Sequence, residues 1–567
     1  MTSTRAQITT TSTAHVSSGT RPAVARRFWP RHWGVWALIL TLTVPVLVPL
    51  VVVALEIATP TPAIWSHIWA TVLPTMLRNT LLLLLGVGGG TFLLGTGLAW
   101  LVTAYRFPGR GLFDWMLLLP MAMPGYILAF VFVATFDFVG PVQSALRAWF
   151  GAEVWFPNIY TPVSAILVLS LVLYPYVYLL ARAAFREQSA TTFDAARAMG
   201  YSRTRTFFRL VLPLARPSIA AGVTLALMET LTDFATVRFF NVPTLSEGIF
   251  RIWEGMMNRQ AAMELASLLF FAALIVILVE RGLRGRARFY QTGGRSRRPD
   301  PVRLRGLRCW LATGVCGGVL LVAFVLPTLQ LTFWTLDEIR KAGAGGTLNV
   351  AFRQYVGTTF MLAAVAALVA VAWSFLLAHA VRLRDGRMAR VTVRLATLGY
   401  AMPGAVVGVG VLLTLTTLDR AINGLAFAGW GITTGLLLTG SLIGLIYAYV
   451  VRFMAVSYNS VEASLDKVTP SMTMAARCLG ARPARLLWRI HLPLVSTGII
   501  TSATLVFVDV MKELPATLLL RPFGMDTLSI WAYLLASEGF WEAAAVPSLT
   551  ILAVGVIPVL FLMRLNR

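Results

Sequence analysis

The chain has 567 residues, of which 57% are hydrophobic and 13% are charged, and its mean hydropathy is +0.75. A water-exposed surface needs more polar residues than this composition supplies, which excludes a set of soluble domains. The formal net charge of +24 does not indicate a nucleic-acid partner, because the arginines lie between apolar runs and no aromatic-interleaved module accompanies them.

The chain begins with a Thr/Ser-rich and then basic segment over residues 1–33. It lacks the early apolar core and small-residue cleavage site of a signal peptide, so we expect a disordered cytoplasmic tail. About twelve apolar runs follow, each approaching or exceeding the roughly 20 residues that span a bilayer as a helix. The predicted spans are 34–55, 77–103, 114–137, 161–183, 216–238, 264–282, 309–333, 358–382, 391–416, 431–455, 495–519 and 542–563. The predicted fold class is an all-α polytopic membrane protein.

Arginine is concentrated in the connections after every second predicted span. The stretch 281–308 alone holds ten arginines and a single acid, Asp300. Because basic residues in short loops mark the cytoplasmic side of a membrane protein, this pattern predicts a cytoplasmic N-terminus and a cytoplasmic linker over 284–308.

An internal repeat organises the chain. MAMPG at 121–125 returns as YAMPG at 400–404, and Gly480 lies 280 positions after Gly200. Six spans repeated in the same orientation predict two parallel halves related by an axis along the membrane normal. We assign the halves to 34–283 and 309–567.

The most informative repeat interrupts the apolar runs. Residues 193–216 read FDAARAMGYSRTRTFFRLVLPLAR, and 473–493 read TMAARCLGARPARLLWRIHLP. Alanine favours a short helix, and a glycine suits the left-handed position that ends one. A second, basic helix should follow, with Pro213 bending the chain back toward the membrane. A single copy would fit an ordinary amphipathic loop at the lipid surface, but two copies with identical spacing favour a functional elbow.

The two elbows resemble the EAA loops of type I, binding-protein-dependent ABC importer permeases, in which such an elbow docks into an ATPase subunit. The matching positions are Asp194, Ala195, Ala196, Gly200, Leu212 and Pro213 in the first copy, and Met474, Ala475, Ala476, Gly480, Leu492 and Pro493 in the second. The first position departs from the family pattern, with Asp in one half and Met in the other. This difference raises the question of whether the halves dock equally.

Further stretches, DVMKELPATLLLRPFGMDTLSIWAY at 509–533 and ALMETLTDFATVRFF at 226–240, are similar to the fused two-half permeases of ferric-iron importers. The resemblance implies two ABC ATPase subunits at the cytoplasmic face and a periplasmic substrate-binding protein outside, in a bacterial inner membrane. Relatives on the same scaffold carry thiamine, polyamines, 2-aminoethylphosphonate or sulfate, so these substrates stay open.

Four carboxylates fall within predicted spans, where ionisable groups are costly and indicate function. Glu229 and Asp233 are four residues apart and share a helix face, and Asp509 and Glu513 repeat this spacing beside Lys512. One interpretation is an acidic lining that passes a cation or is held closed by Lys512. The other places the carboxylates near the outer interface, where they cap helices and pair with Arg238 or Arg521.

Pro124 and Pro403 stand in the middle of predicted spans, where a proline removes a helical hydrogen bond and kinks the helix. A static kink is favoured over a hinge for alternating access.

Several classes of function need residue patterns that this sequence does not contain. None of the three lysines follows a glycine as in a P-loop, and the cysteines and histidines are scattered, so the chain predicts no ATP site, no metal site and no cofactor. No nucleophile–base constellation indicates an enzyme. An ion-driven secondary transporter with two six-helix halves stays an alternative, but it does not explain the doubled elbow.

Overall fold

The computed structural model describes residues 31–58, 62–255, 258–284, 300–342, 348–383, 386–481 and 483–565. The predicted N-terminal tail and most of the predicted linker lie outside these residues. Within them, twelve helices are long and apolar enough to cross a membrane, which confirms the predicted number and the all-α class.

The described residues of the first half contain thirteen α-helices, and six candidate membrane spans fall among them. They are α1 (Arg31–Glu56), α2 (Pro62–Thr71), α3 (Leu73–Ala104), α4 (Arg110–Met116), α5 (Gly125–Phe136), α6 (Pro141–Phe150), α7 (Pro162–Glu187), α8 (Ala190–Ala198), α9 (Arg203–Thr206), α10 (Leu212–Thr232), α11 (Ala235–Phe239), α12 (Leu245–Phe250) and α13 (Arg259–Arg284).

The second half repeats this order from the residues after the linker. Its helices are α14 (Leu307–Leu320), α15 (Leu326–Ala342), α16 (Leu348–Leu383), α17 (Arg387–Ala396), α18 (Gly404–Trp430), α19 (Leu442–Leu465), α20 (Pro470–Cys478), α21 (Pro483–Leu486), α22 (Leu492–Met511), α23 (Pro515–Leu520), α24 (Leu528–Ser537) and α25 (Trp541–Leu565). Two-residue strands β1 (Tyr105–Arg106) and β2 (Val302–Arg303) pair in parallel and attach the end of the predicted linker to the loop after α3.

Each half is built around three mutually packed spans. In the first half α3 packs against α7 and α10, and in the second α16 packs against α19 and α22. Glycine permits the close approach of α3 and α7, since a Cβ added at Gly95 would lie 2.6 Å from the Val177 Cβ and 2.9 Å from the Tyr174 carbonyl oxygen. Small residues at a helix interface are the usual means of dense packing in a membrane.

The first helix of each half lies against the other half. Helix α1 packs on α16, α17 and α18, and α14 packs on α4. The Trp373 indole donates to the Leu42 carbonyl at 2.8 Å, and the Thr313 hydroxyl donates to the Pro108 carbonyl at 3.0 Å. These exchanged helices hold the halves together independently of the linker.

Two predicted spans of the second half are displaced. We expected helices over 391–416 and 431–455, but the structure has α18 and α19. The apolar stretch between them is a loop because the buried Asp419 carboxylate accepts the backbone N–H groups of Leu437, Leu438 and Thr439 at 2.8–3.1 Å.

Two further spans end earlier than predicted. Helix α10 stops at Thr232 and α22 at Met511, and each is followed by a pair of short helices, α11 with α12 and α23 with α24. The same hydrogen bond fixes both pairs: the Thr80 hydroxyl accepts the Leu245 N–H at 3.1 Å, and the Thr359 hydroxyl accepts the Leu528 N–H at 2.8 Å. The internal repeat thus extends to individual side-chain contacts.

Candidate functional site

The first elbow (residues 190–213) has the expected helix–glycine–helix form. Helix α8 ends before Gly200, whose φ of +72° lies in the left-handed region. Ser202 then caps α9 by accepting the Arg205 N–H at 3.3 Å. The methyl group of Ala196 is buried, whereas Asp194 is exposed, so the acid stands on the outer face of the elbow.

The second elbow (residues 470–493) repeats this geometry. Helix α20 begins at Pro470, and Gly480 has a φ of +79°. Ala476 is buried, Ala475 is exposed, and Met474 is 64% exposed. The departure from the family pattern is therefore a methionine on the face that carries Asp194 in the first elbow.

The prolines of the elbows do not bend the chain, which corrects the prediction. Pro213 is the second residue of α10 and Pro493 the second of α22. Each follows a turn of π-helix, at Phe207–Val211 and Leu487–His491. A proline lacks the N–H that an α-helix needs and clashes with the carbonyl four residues earlier. The wider π turn accommodates both defects, so the basic helix runs directly into the span. Leu212 and Leu492 are half-buried, and both prolines are exposed.

The two elbows contact the rest of the protein through different kinds of side chain. In the first, the Phe193 ring lies parallel to Trp100 of α3 with centroids 6.5 Å apart, and Phe207 lies 4.8 Å from the same indole. The corresponding position in the second elbow is Thr473, whose hydroxyl lies 3.3 Å from Nε2 of His491. Aromatic packing attaches one elbow and a polar contact attaches the other.

A cavity of about 110 Å³ lies where the two halves meet. All five residues predicted for a pathway line it: Glu229, Asp233, Asp509, Lys512 and Glu513. The structure therefore joins two pairs of carboxylates that are 280 residues apart in the chain, as a pseudo-two-fold arrangement requires.

The carboxylates of the second half are both in ion pairs. Glu513 accepts Nη1 of Arg452 at 3.0 Å and the N–H groups of Ala516 and Thr517 at 2.9 Å each, so it also caps α23. Asp509 pairs with Lys512 at 2.9 Å. Their charges are thus compensated within the second half.

The carboxylates of the first half are less constrained. Asp233 caps α11 by accepting the Thr236 N–H at 2.8 Å and its hydroxyl at 2.6 Å. Glu229 has no hydrogen-bond or ion-pair partner within the described part of the chain. The cavity carries four acids and two bases, hence a formal excess of two negative charges when all are ionised.

The interpretation that these acids cap helices is correct for Asp233 and Glu513, but the predicted pairing with Arg238 or Arg521 is wrong. Arg238 binds Glu254 at 3.2 Å, and Arg521 binds Asp526. The acids are instead turned toward the cavity, because α10 and α22 break directly beside them.

Pro124 and Pro403 do not kink a continuous helix, which corrects a second prediction. Each precedes the first residue of its helix, α5 or α18, and a short 3₁₀ turn comes before it. The glycine after each proline leaves room for a charged side chain. A Cβ at Gly125 would lie 2.3 Å from Oδ2 of Asp233, and one at Gly404 would lie 1.5 Å from Nη1 of Arg452. The repeated Pro-Gly pair thus starts a helix at the cavity wall.

Sequence reasoning missed Arg452, although an arginine inside an apolar span is the same signal that selected the acids. It also missed Tyr126, Tyr176 and Tyr400, which line the cavity. Tyrosines are common in apolar spans, so no sequence signal marked these three. Among the described residues no group of three or more His, Cys, Asp or Glu side chains could hold a metal ion.

Comparison with known proteins agrees with this architecture. Residues 91–280 match the family model described as "Binding-protein-dependent transport system inner membrane component". Over this segment the chain is similar to that family of permeases. The matched segment contains the first elbow, and the second elbow lies at the equivalent position of the internal repeat. The relatives are permease subunits, which are transport components, and the twelve apolar helices within the described residues fit a multi-pass inner-membrane protein of the same kind.

Two relatives show the range of the permease family. The chain is 25% identical over 492 residues to the Fe(3+)-transport system permease protein FbpB 2 of Haemophilus influenzae, covering 86% of this chain and 89% of the relative. It is 27% identical over 221 residues to the molybdenum transport system permease protein ModB of Escherichia coli, covering 38% of this chain and 93% of the relative. The fused two-half length is shared with the first, while ModB corresponds to one half.

Proposed function

We propose that this permease moves ferric iron from a periplasmic binding protein into the cytoplasm by alternating access. The observation that carries the proposal is the charge of the central cavity, in which four carboxylates face two bases. An acidic cavity in a medium of low dielectric attracts cations and repels oxyanions such as molybdate or sulfate. The iron-transport relative that covers most of the chain supports the same substrate.

The size of the cavity separates ferric iron from the organic substrates of similar permeases. About 110 Å³ is well below the roughly 300–1,000 Å³ of typical small-molecule sites. In this conformation the cavity accepts an ion with some of its water, but not thiamine, a polyamine or 2-aminoethylphosphonate.

The two elbows are the parts of the permease that would couple ATP hydrolysis to transport. Two ABC ATPase subunits on the cytoplasmic side would each receive one elbow, through the exposed faces that carry Asp194 and Met474. ATP then acts through its different affinity for two states of the complex, and ATPase closure would rock the halves about the central cavity. A secondary transporter is driven by an ion gradient and has no ATPase subunits to bind two such elbows, so that alternative is less favoured.

The proposed organisation follows the charge pattern and the repeat. A cytoplasmic tail over 1–33 precedes the half 34–283, and a cytoplasmic linker over 284–308 joins it to the half 309–567. ATP hydrolysis belongs to the separate ATPase subunits, substrate recognition to the binding protein, and no nucleic acid takes part.

Reconstitution tests this proposal. The permease is purified with its ATPase and binding protein, placed in proteoliposomes, and supplied with radioactive Fe³⁺, molybdate or sulfate. We expect ATP-dependent uptake of Fe³⁺ only, and loss of at least about tenfold in uptake for Glu229→Gln. The matched control is Glu462→Gln, since Glu462 contacts Tyr458 outside the cavity. Uptake of an oxyanion in place of iron would overturn the proposed substrate.

A further inference from the structure

Helix α17 presents three different faces. Its small apolar residues Ala389, Val393 and Ala396 are at most 5% exposed, and the helix packs on α1. Because an α-helix has about 3.6 residues per turn, residues three and four apart share a face. Two further faces are formed in this way, and both are exposed. They are an arginine stripe of Arg387, Arg390 and Arg394 and, beside it, an apolar stripe of Met388, Val391 and Leu395.

The two exposed stripes need different surroundings. In the apolar stripe Met388 is 71% exposed, Val391 46% and Leu395 45%, and such surface is stabilised when it leaves water. In the arginine stripe Arg387 and Arg394 have no ion-pair partner among the described residues, and α17 contains no acid. Guanidinium groups are costly in hydrocarbon. A cationic stripe directly beside an apolar one is typical of a helix that lies in a membrane–water interface.

The position of α17 agrees with such an interface. It lies between α16 and α18, both of which are long and apolar enough to cross a membrane. The Trp373 indole of α16 donates to the Leu42 carbonyl of α1 at 2.8 Å. Trp373 lies ten residues before the end of α16 at Leu383, and Leu42 lies eleven residues after the start of α1 at Arg31. At about 1.5 Å per residue, the end of α16 and the start of α1 are at the same side of the membrane, and α17 follows α16 there.

The equivalent helix of the first half, α4, uses its charged groups inside the protein. Asp114 binds Arg182 at 2.5 and 2.8 Å and Arg186 at 2.7 Å, and Arg110 donates to a backbone carbonyl of α3 at 2.6 Å. Val393 stands 279 positions after Asp114, the offset that also separates the two MPG sequences. The second half therefore has an apolar residue in place of this acid, and the arginines of α17 face outward.

We propose that α17 binds anionic phospholipid at the cytoplasmic surface of the membrane. The arginine stripe binds the lipid phosphates, for which the planar guanidinium offers paired donors. The apolar stripe lies among the upper parts of the acyl chains. The cytoplasmic side follows from the proposed orientation of the chain, whereas the anionic lipid follows from the two stripes and does not depend on the transported substrate.

A fluorescent probe beside the two stripes tests this proposal. The permease–ATPase complex carries Met388→Cys together with Cys309→Ser and Cys478→Ser, which remove the thiols that are not buried. It is labelled with bimane and placed in phosphatidylcholine nanodiscs that contain a fixed fraction of brominated phosphatidylglycerol or brominated phosphatidylcholine. The brominated phosphatidylglycerol should quench the probe at least about twofold more strongly, because the arginines concentrate it locally. High salt should reduce this difference.

Substitutions separate the arginine stripe from a general attraction of the basic chain for anionic lipid. Arg387→Gln with Arg394→Gln should abolish the preference for phosphatidylglycerol, and Arg387→Lys with Arg394→Lys should retain most of it. The matched control is Arg303→Gln with Arg305→Gln, which removes the same charge from exposed residues outside α17 and should leave the preference unchanged. An equal loss in the control would contradict a site on α17. If the double glutamine variant does not fold, Arg387→Gln alone should show a partial loss, and an unchanged preference would contradict the proposal.

The remaining outcomes identify other surroundings for α17. Equal quenching by the two brominated lipids would show that the helix meets the membrane without selecting a headgroup. No quenching by either lipid would show that the apolar stripe lies away from the membrane. Quenching that appears only when the ATPase is removed would assign this face to the ATPase. Each of these results overturns the proposal, and none of them bears on whether the permease transports iron.

Discussion

The backbone conformation of the elbow glycines allows a quantitative prediction. Gly200 and Gly480 have φ values of +72° and +79°, and a Cβ added at either would meet no atom within 4 Å. Alanine at these positions therefore causes no clash, and its whole effect is the cost of left-handed backbone, about 1–2 kcal/mol. If the strained elbow relaxes to another conformation when it is undocked, the population competent to dock falls by about 5- to 30-fold.

The assay is ATP hydrolysis stimulated by the loaded binding protein, measured in proteoliposomes together with substrate uptake. Gly200→Ala and Gly480→Ala should each lower stimulated hydrolysis and uptake severalfold without reducing membrane insertion, and the double variant should lose more than either. Gly200→Asn should retain most activity, because asparagine tolerates the left-handed region.

The matched control is Gly431→Ala, which places the same strain at a φ of +66°, also with no atom near the new Cβ, but outside the elbows. This variant should couple normally. Normal coupling in Gly200→Ala and Gly480→Ala, or equal loss in Gly200→Ala and Gly200→Asn, would refute the reasoning from backbone strain.

Three further predictions concern packing, assembly and docking. Gly95→Ala should destabilise the permease by about 1–3 kcal/mol in a thermal assay because its Cβ meets α7, whereas Gly97→Ala, with no atom within 4 Å, should be neutral or slightly stabilising; equal effects would contradict the packing argument. A chain cut between residues 292 and 293 and expressed as two halves should co-purify, because α1 and α14 each pack on the opposite half; separation in mild detergent would contradict this. Asp194→Ala should weaken ATPase binding at low salt more than at high salt, whereas Met474→Ala should weaken it equally at both, because only the charged contact is screened; the same salt dependence in both variants would show that the elbows dock alike.

The central cavity illustrates the limit of sequence reasoning. Ionisable residues in apolar runs selected Glu229, Asp233, Asp509, Lys512 and Glu513, and the repeat predicted that they meet. The partner of each acid could not be read in this way, because α11 and α23 are too short for a periodic signal and their N-terminal N–H groups compete for the same carboxylates.

The sequence by itself determined the membrane class, the number of spans, the repeat and the left-handed glycines of the elbows, because these depend on local composition and backbone preference. Only the tertiary structure decided where spans such as α18 and α22 begin and end, that π turns absorb Pro213 and Pro493, and that the first helices exchange between halves. These features depend on contacts between residues far apart in the chain. A carboxylate such as Asp419 or Glu513 binds whichever N–H groups the fold brings to it, and an apolar run does not indicate which these will be.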